Sequence, residues 1–378
     1  KPERFACTGA DLSQIAARVG VIQRVLPAYR AAFFDALAAE CAGGLSVFAG
    51  QPRPDEMIEE QPAGLRTAVR AEAENRHWFS GGAYLCWQGG LMRWLKEWQP
   101  QILVVEANPR YVRTPSAVRW MHRRGRGVIG WGLGLPHGGK GLAGWLRRRF
   151  LGQFDALVTY SQQGLREYRA AGIPAGKVFL APNAVAARPT LPIPPRLATF
   201  EEAGPAVLFV GRLQARKRVD LLLRACAALP AGQQPRLWVV GDGPEREALE
   251  TLAQTVYPQA QFFGARHGDE LAPFFDTADV FVLPGTGGLA VQQAMSHGLP
   301  VMAAEADGTQ ADLVRPENGW ALPPGDLQAL TETLRQALAD PAALRRMGAA
   351  SYRIVREEIN LENMVAAFVR AVASLQEK

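Results

Sequence analysis

The sequence predicts an α/β chain of two doubly wound domains, each built on a parallel sheet. Three observations carry this. Apolar runs of four or five residues recur along the chain between helical patterns, as strands buried on both faces require. A segment holding Pro189, Pro192, Pro194, Pro195 and Pro205 splits that pattern in two, because five prolines discourage both helix and sheet. The length, 378 residues, suits two domains of ordinary size.

In the first half, strands are expected at 19–23, 45–49, 102–106, 128–131 and 156–159, with helices such as 30–42 and 114–124 between them. In the second half, strands are expected at 206–210, 237–240, 261–263, 280–283 and 301–304. Helices follow at 219–229, 245–255 and 290–297. Pro244 suits the first turn of the middle one, and Gly298 closes the last. Leu361, Val365, Phe368, Val372 and Leu375 share one helical face, so 361–378 reads as a helix that packs back on the first domain. The expected divisions are 1–187, a Pro-rich linker at 188–205, 206–360, and the terminal helix. Two Rossmann-like domains joined by such a linker imply a cleft, with ligands at the carboxyl ends of the strands.

Composition removes several classes. With 48% hydrophobic and 21% charged residues, the chain is neither disordered nor fibrous. Cys7, Cys41, Cys86 and Cys226 form no paired spacing, so neither a disulfide framework nor a metal site is expected. No 18-residue apolar run occurs. The chain starts at Lys1 rather than Met, as a trimmed chain would, and 1–17 lacks signal-peptide architecture. A cytoplasmic protein is expected, peripheral on the inner face of the membrane. The net charge of +6 divides unevenly: 1–187 holds 24 Lys+Arg against 14 Asp+Glu, and 188–378 holds 18 against 22. That asymmetry reads either as a polyanionic partner or membrane surface, or as an Arg-rich solvated face. The basic excess lacks the interleaved aromatics of a nucleic-acid module.

Two turns after strands carry anion-binding chemistry. Gly211-Arg212 with Lys217 places a planar fork and a compact charge in one loop, which suits a diphosphate or is simply a basic loop. Gly285-Thr286-Gly287-Gly288-Leu289 precedes a helix and offers backbone N–H groups there, or is only a tight turn. Gly241-Asp242-Gly243-Pro244 is a helix start that Asp242 can cap.

Taken with Ala278-Asp279-Val280-Phe281-Val282-Leu283-Pro284, Ala294–Val301 and Glu317-Asn318-Gly319, these runs make 206–340 resemble the donor half of a family-4 glycosyltransferase of GT-B fold. The resemblance implies a nucleotide-diphospho-sugar donor (UDP-, GDP- or ADP-linked), transfer with retention, and no required metal or other cofactor. It gives the diphosphate to Arg212 and Lys217, with backbone donors at 287–289. Gly211, Gly241, Asp242, Gly243 and Arg266 belong to the same donor set. The two glutamates usual in that family are replaced here by Gly285 and Gln293. Gln293 can accept one ribose hydrogen bond, whereas Gly285 offers only backbone.

The first half resembles the acceptor domain more loosely, through Tyr160-Ser161, Gly172-Ile173 and Ala181–Val185. Leu133 falls where a cleft histidine is common, and His137 follows on a Gly-rich loop, reaching the cleft or lying at the surface. Glu106 either orients an acceptor hydroxyl or pairs with an arginine. Gln23, Arg24, Tyr29, Arg30, Asn108 and Arg110 are further acceptor-side candidates. The segments 140–154 and 91–98 mix Trp, Leu and basic residues, as an interfacial helix or an ordinary amphipathic one would.

The expected function is therefore retaining transfer of a sugar to a saccharide or lipid-linked saccharide, in cell-surface polysaccharide or glycolipid synthesis. Developing charge on the diphosphate would be stabilised by Arg212, Lys217 and the turn amides. The alternatives are a nucleotide-sugar-binding protein with weakened catalysis, or an epimerase, which Gly285 argues against.

Overall fold

A computed structural model describes residues 15–53, 56, 65–79, 81–135, 141–200, 204–287, 289–305 and 309–376. The chain forms two compact units, one of residues up to Val185 together with Leu361 onward, the other Ala186–Asn360.

The strands of the first unit are β1 (Val19–Val25), β2 (Leu45–Gly50), β3 (Val69–Trp78), β4 (Leu85–Gly89), β5 (Ile102–Glu106), β6 (Gly127–Gly132), β7 (Ala156–Thr159) and β8 (Val178–Leu180). Its helices are α1 (Ala31–Ala39), α2 (Leu91–Trp98), α3 (Thr114–His122), α4 (Gly141–Leu151) and α5 (Gln162–Ala170). The sheet order is β4-β3-β2-β1-β5-β6-β7-β8. All neighbours are parallel except β3 and β4. Central strands such as β5, Ile-Leu-Val-Val-Glu, are apolar on both sides because helices cover both faces.

In the second unit the strands are β9 (Ala206–Val210), β10 (Arg236–Val240), β11 (Gln261–Phe262), β12 (Val280–Leu283), β13 (Val301–Ala304) and β14 (Gly319–Leu322). The helices are α6 (Val219–Ala228), α7 (Arg246–Val256), α8 (Ala272–Thr277), α9 (Leu289–Ser296), α10 (Gln310–Leu313), α11 (Leu327–Ala337) and α12 (Pro341–Glu357). The order β11-β10-β9-β12-β13-β14 is wholly parallel. From β9 the chain runs outward to one side and then returns to start the other, so the topological switch lies between β9 and β12. The expected fold class is borne out. The sequence reading omitted β3, β4, β8 and β14. β3 reads Val-Arg-Ala-Glu-Ala-Glu-Asn-Arg-His-Trp, with no apolar run to mark it.

The last helix, α13 (Leu361–Gln376), belongs to the first unit. Phe368 packs edge-on against Phe33 at 5.0 Å and Trp131 at 4.8 Å between ring centroids, closing the sheet face that α1 covers. The opposite face is covered by α2 and α3 with Leu151, Phe154 and Tyr168.

The Pro-rich segment has no helix or strand among its described residues, yet side chains tie it to the second unit. Arg196 donates to the carbonyls of Phe275 (2.6 Å), His297 (3.0 Å) and Ala278 (3.1 Å). Burial and the neighbouring Arg345 push its pKa down to about 10. Arg345 donates to Leu197 O at 2.8 Å and pairs with buried Asp279 at 2.6 Å. Asp279 also accepts the Ala206 N–H at 2.8 Å. Arg345→Ala would leave that carboxylate buried without its cation. The expected cost is about 3 kcal/mol, read as a lower urea midpoint with an unchanged slope.

Candidate functional site

The carboxyl ends of β9, β10 and β12 meet at the switch point of the second unit. Gly211 ends β9, Gly241 ends β10, and Pro284-Gly285 follows β12. Backbone hydrogen bonds lock the first two loops together: Gly211 N to Val240 O (3.0 Å), Leu213 N to Asp242 O (2.9 Å) and Glu245 N to Leu213 O (3.1 Å). The third loop is fastened to the first by Thr286 N to Arg216 O at 3.0 Å, and by Arg216 Nη1 to Thr286 Oγ1 at 3.1 Å.

Lys217 ends a single 3-10 turn, Ala215–Lys217, and folds its amine toward the β12 turn. A Cβ at Gly287 would collide with Lys217 Nζ, and one at Gly285 with the Arg216 carbonyl and the Lys217 backbone. Gly285 is therefore required by its close approach to that backbone, and Gly287 by its φ of 140°. Burial first, then the neighbouring Arg216, pull the Lys217 amine from its ordinary 10.5 down to about 8. Arg212 is half-buried in the same loop. Asp242 lies close enough to feel Arg212. Its carboxyl is held low chiefly by Arg246 at 2.8 Å, then by the Gly243 N–H.

The remaining donor-side candidates divide. Leu289 opens α9 half-buried, while Thr286 is exposed. Gln293 is half-buried. Its neighbour Gln292 is structural, accepting Ala186 N at 3.1 Å and donating to Ile359 O at 2.6 Å. Arg266 stands exposed beyond β11, donating to its own Ala265 O at 3.3 Å. Gly288 lies outside the described residues. The sequence reading missed Gln310, whose Nε2 holds the Gly287 carbonyl at 2.8 Å. It lies far along the chain from the turn it braces, and no local pattern marks it.

In the first unit, Arg24 and Glu106 come together at the ends of β1 and β5: Arg24 N donates to Glu106 Oε1 at 2.7 Å. Burial raises the Glu106 carboxyl, opposed by that N–H and by the Tyr111 hydroxyl, which donates to it. The Arg24 guanidinium is paired with Glu56 at 2.8 Å. Tyr111, Glu56 and Tyr84 at this edge were not among the expected residues, since only the fold gathers them. Gln23 is buried and its carbonyl accepts Gln88 Nε2 at 2.9 Å. Asn108 accepts the N–H of exposed Arg110 at 3.1 Å.

Arg30 lies apart from that edge in its bonding. It is buried, bonded to Asn183 Oδ1 at 2.6 Å, and stacked against Trp131, Tyr160 and the half-exposed Tyr29. These contacts make it part of the unit's interior. Leu133 is exposed, and His137 lies outside the described residues. Cys41, Cys86 and Cys226 are buried free thiols, each pushed up by burial, and Cys7 lies outside the described residues. Among the described residues no cluster of His, Cys, Asp and Glu could hold a metal, and no helix is long and apolar enough to cross a membrane.

Residues 204–340 match the family described as glycosyl transferases group 1, and residues 26–184 match the glycosyl transferase 4-like domain. The chain belongs to the group 1 glycosyltransferases. Its two Rossmann-like sheets are those of the GT-B glycosyltransferase fold. This glycosyltransferase is 39% identical over 164 residues to sulfoquinovosyl transferase SQD2 of Arabidopsis thaliana, covering 41% of this chain and 31% of the relative. It is 28% identical over 254 residues to the GDP-mannose-dependent monoacylated alpha-(1-6)-phosphatidylinositol monomannoside mannosyltransferase of Corynebacterium glutamicum, covering 62% and 65%. The matched stretches thus span about a third and two thirds of these relatives' lengths. Among solved structures, Anabaena Alr3699/HepE in complex with UDP aligns with a TM-score of 0.66 at 14% identity, covering 94% of this chain and 99% of that one. At that identity the likeness carries the fold alone.

Proposed function

We propose that this glycosyltransferase moves a hexosyl group, with retention, from a nucleotide-diphospho-sugar to a saccharide or lipid-linked saccharide in cell-surface polysaccharide or glycolipid synthesis. One observation carries the reading: the Lys217 amine is pressed into the Gly285–Gly287 turn at the switch point of a parallel sheet, with Arg212 in the same loop. Parallel sheets bind ligands at this place, and half-buried cations there meet a diphosphate in a dielectric below that of water. The name of the Corynebacterium relative supports a nucleotide-sugar donor, GDP-mannose in its case.

In the proposed step an acceptor hydroxyl attacks the anomeric carbon on the face the diphosphate leaves. The glycosidic C–O bond breaks, and the departing phosphate oxygen takes the hydroxyl proton. Arg212, Lys217 and the backbone N–H groups of the β12 turn stabilise the charge growing on the diphosphate. Gln293 is the proposed ribose contact. Glu106, braced by Arg24 N and Tyr111, is the proposed carboxylate for orienting an acceptor hydroxyl. The basic first unit suits an anionic, lipid-borne acceptor at the inner membrane face.

The test is thermal shift with UDP, GDP and ADP. At 100-fold excess over Kd, the matching nucleotide stabilises the chain by about 2.7 kcal/mol. Arg212→Ala is expected to abolish that shift without lowering the ligand-free melting temperature. No shift with any nucleoside diphosphate would sink the proposal. Binding without transfer to any acceptor would favour the second reading, a weakened nucleotide-sugar-binding protein. That reading draws its support from the absence of a side chain at Gly285.

A further inference from the structure

The two Trp- and Leu-bearing basic segments of the first unit have different fates. In α2, Leu91, Trp94 and Leu95 are buried in the unit's own core, and Arg93 and Glu97 face solvent. In α4 the arrangement is reversed. Gly144 and Leu151 face inward, while Trp145 and Leu146 are 50% and 52% exposed on the outward side. Arg148 and Arg149 are exposed with them, and the Arg149 guanidinium lies 5.5 Å from the Trp145 ring. Packing on the sheet explains the inward pair. It does not explain two large apolar side chains facing solvent among arginines.

The surroundings identify the occupant by charge. Between Glu106 and Asp155 the chain holds ten Lys and Arg and no acid. α3 packs on the same sheet face as the end of α4, and exposed Arg119, Arg123 and Arg124 lie on or just beyond it. A Trp-Leu pair flanked by Arg148 and Arg149 on one exposed helix matches a bilayer interface. The indole and leucine enter the acyl boundary, and the guanidinium groups meet anionic headgroups.

We propose that the outward face of α4, with Trp145, Leu146, Arg148 and Arg149, docks on an anionic phospholipid bilayer. This deepens the proposed reading of the first unit as the side that meets a lipid-borne acceptor. It requires nothing of the donor loops in the second unit.

The test is co-sedimentation of the full chain with vesicles of phosphatidylcholine alone and of phosphatidylcholine with 30% phosphatidylglycerol. Binding is expected only to the anionic vesicles, falling as salt rises. The double variant Trp145→Ser/Leu146→Ser should lower partitioning roughly tenfold. Arg148→Glu/Arg149→Glu should abolish it. Arg93→Glu/Lys96→Glu on α2 should bind as the parent does. Circular dichroism melts should match for all variants, which separates lost docking from lost fold. Equal binding to both vesicle types, undiminished binding by the Trp-Leu variant, or equally tight capture by soluble poly-glutamate would each overturn the proposal. The nucleotide thermal shift, measured without vesicles, reports the donor reading separately and is expected to be unchanged in the Trp-Leu variant.

Discussion

Lys217→Met is expected to cut transfer from the nucleotide-sugar by about 100-fold or more while raising the melting temperature of the free protein. Both effects come from one arrangement. The amine is packed against Gly287 with Arg216 beside it, and among the described residues no carboxylate contributes to its depressed pKa of about 8. Holding a charge there costs the fold. Between pH 8 and 10.5 the native state has released this proton and the unfolded state still binds it. Stability contributed by this group therefore rises with pH across that window, and the cost is fully present below it. Methionine removes the cost at neutral pH and keeps most of the volume, for an expected gain of about 1 kcal/mol, or ~2–4 °C. The missing charge is the one proposed to meet the leaving diphosphate, so donor affinity and turnover fall together. In the parent, nucleotide affinity should weaken as pH rises above about 8, because the free protein then loses the proton that binding requires. Titration calorimetry of the matching nucleoside diphosphate between pH 7 and 9.5 reads this directly. A flat profile, or full activity in Lys217→Met, would remove Lys217 from the donor site.

Gly285→Glu, which would place a carboxylate in the β12 turn, is expected to destroy the site instead of strengthening it. The added Cβ would overlap the Arg216 carbonyl and the Lys217 backbone, neither of which is a flexible side-chain end. The turn would have to separate from the β9 loop, breaking Thr286 N to Arg216 O and unseating Lys217. Overpacking of this kind costs about 3 kcal/mol, and an unaccommodated carboxylate adds to it. The expected readout is a lower melting temperature together with loss of the nucleotide shift. Gly285→Ala should act in the same direction and less strongly. Gln293→Glu is the contrast: it is nearly isosteric at a half-buried position, so the fold should be kept. Improved activity in Gly285→Glu would show that the turn yields more readily than its contacts imply.

The fold was legible wherever strands are buried on both faces. Runs such as Ala206–Val210 and Val280–Leu283 have no other stable reading beside Gly-containing turns. β3 escaped because it is half-exposed and carries charge where a central strand carries valine, and β4 because Leu-Cys-Trp-Gln-Gly is short and has no apolar run. The loops proposed to hold the donor stand out in the sequence because Gly211, Arg212, Lys217 and the 285–287 turn are each marked locally. What the sequence could not convey is why 285 is glycine, since the constraint comes from the backbone of a loop some 70 residues earlier. The acceptor side was less legible. Arg30 and Arg24 look alike in sequence, yet one is stacked among aromatics in the interior and the other stands beside Glu106. Likewise α2 and α4 share a composition, and only the exposure of Trp145 and Leu146 separates them.

The placement of α13 bears on the order in which the chain can fold. The first unit's aromatic cluster of Phe33 and Trp131 is completed by Phe368, which a ribosome delivers only after the entire second unit has been made. Until then the sheet face beneath α13 stays uncovered and open to chaperones or to aggregation. The second unit is continuous in sequence and has no such wait. A nascent chain arrested before residue 361 should therefore hold a folded second unit and an unfinished first unit, the reverse of the order in which the two begin synthesis.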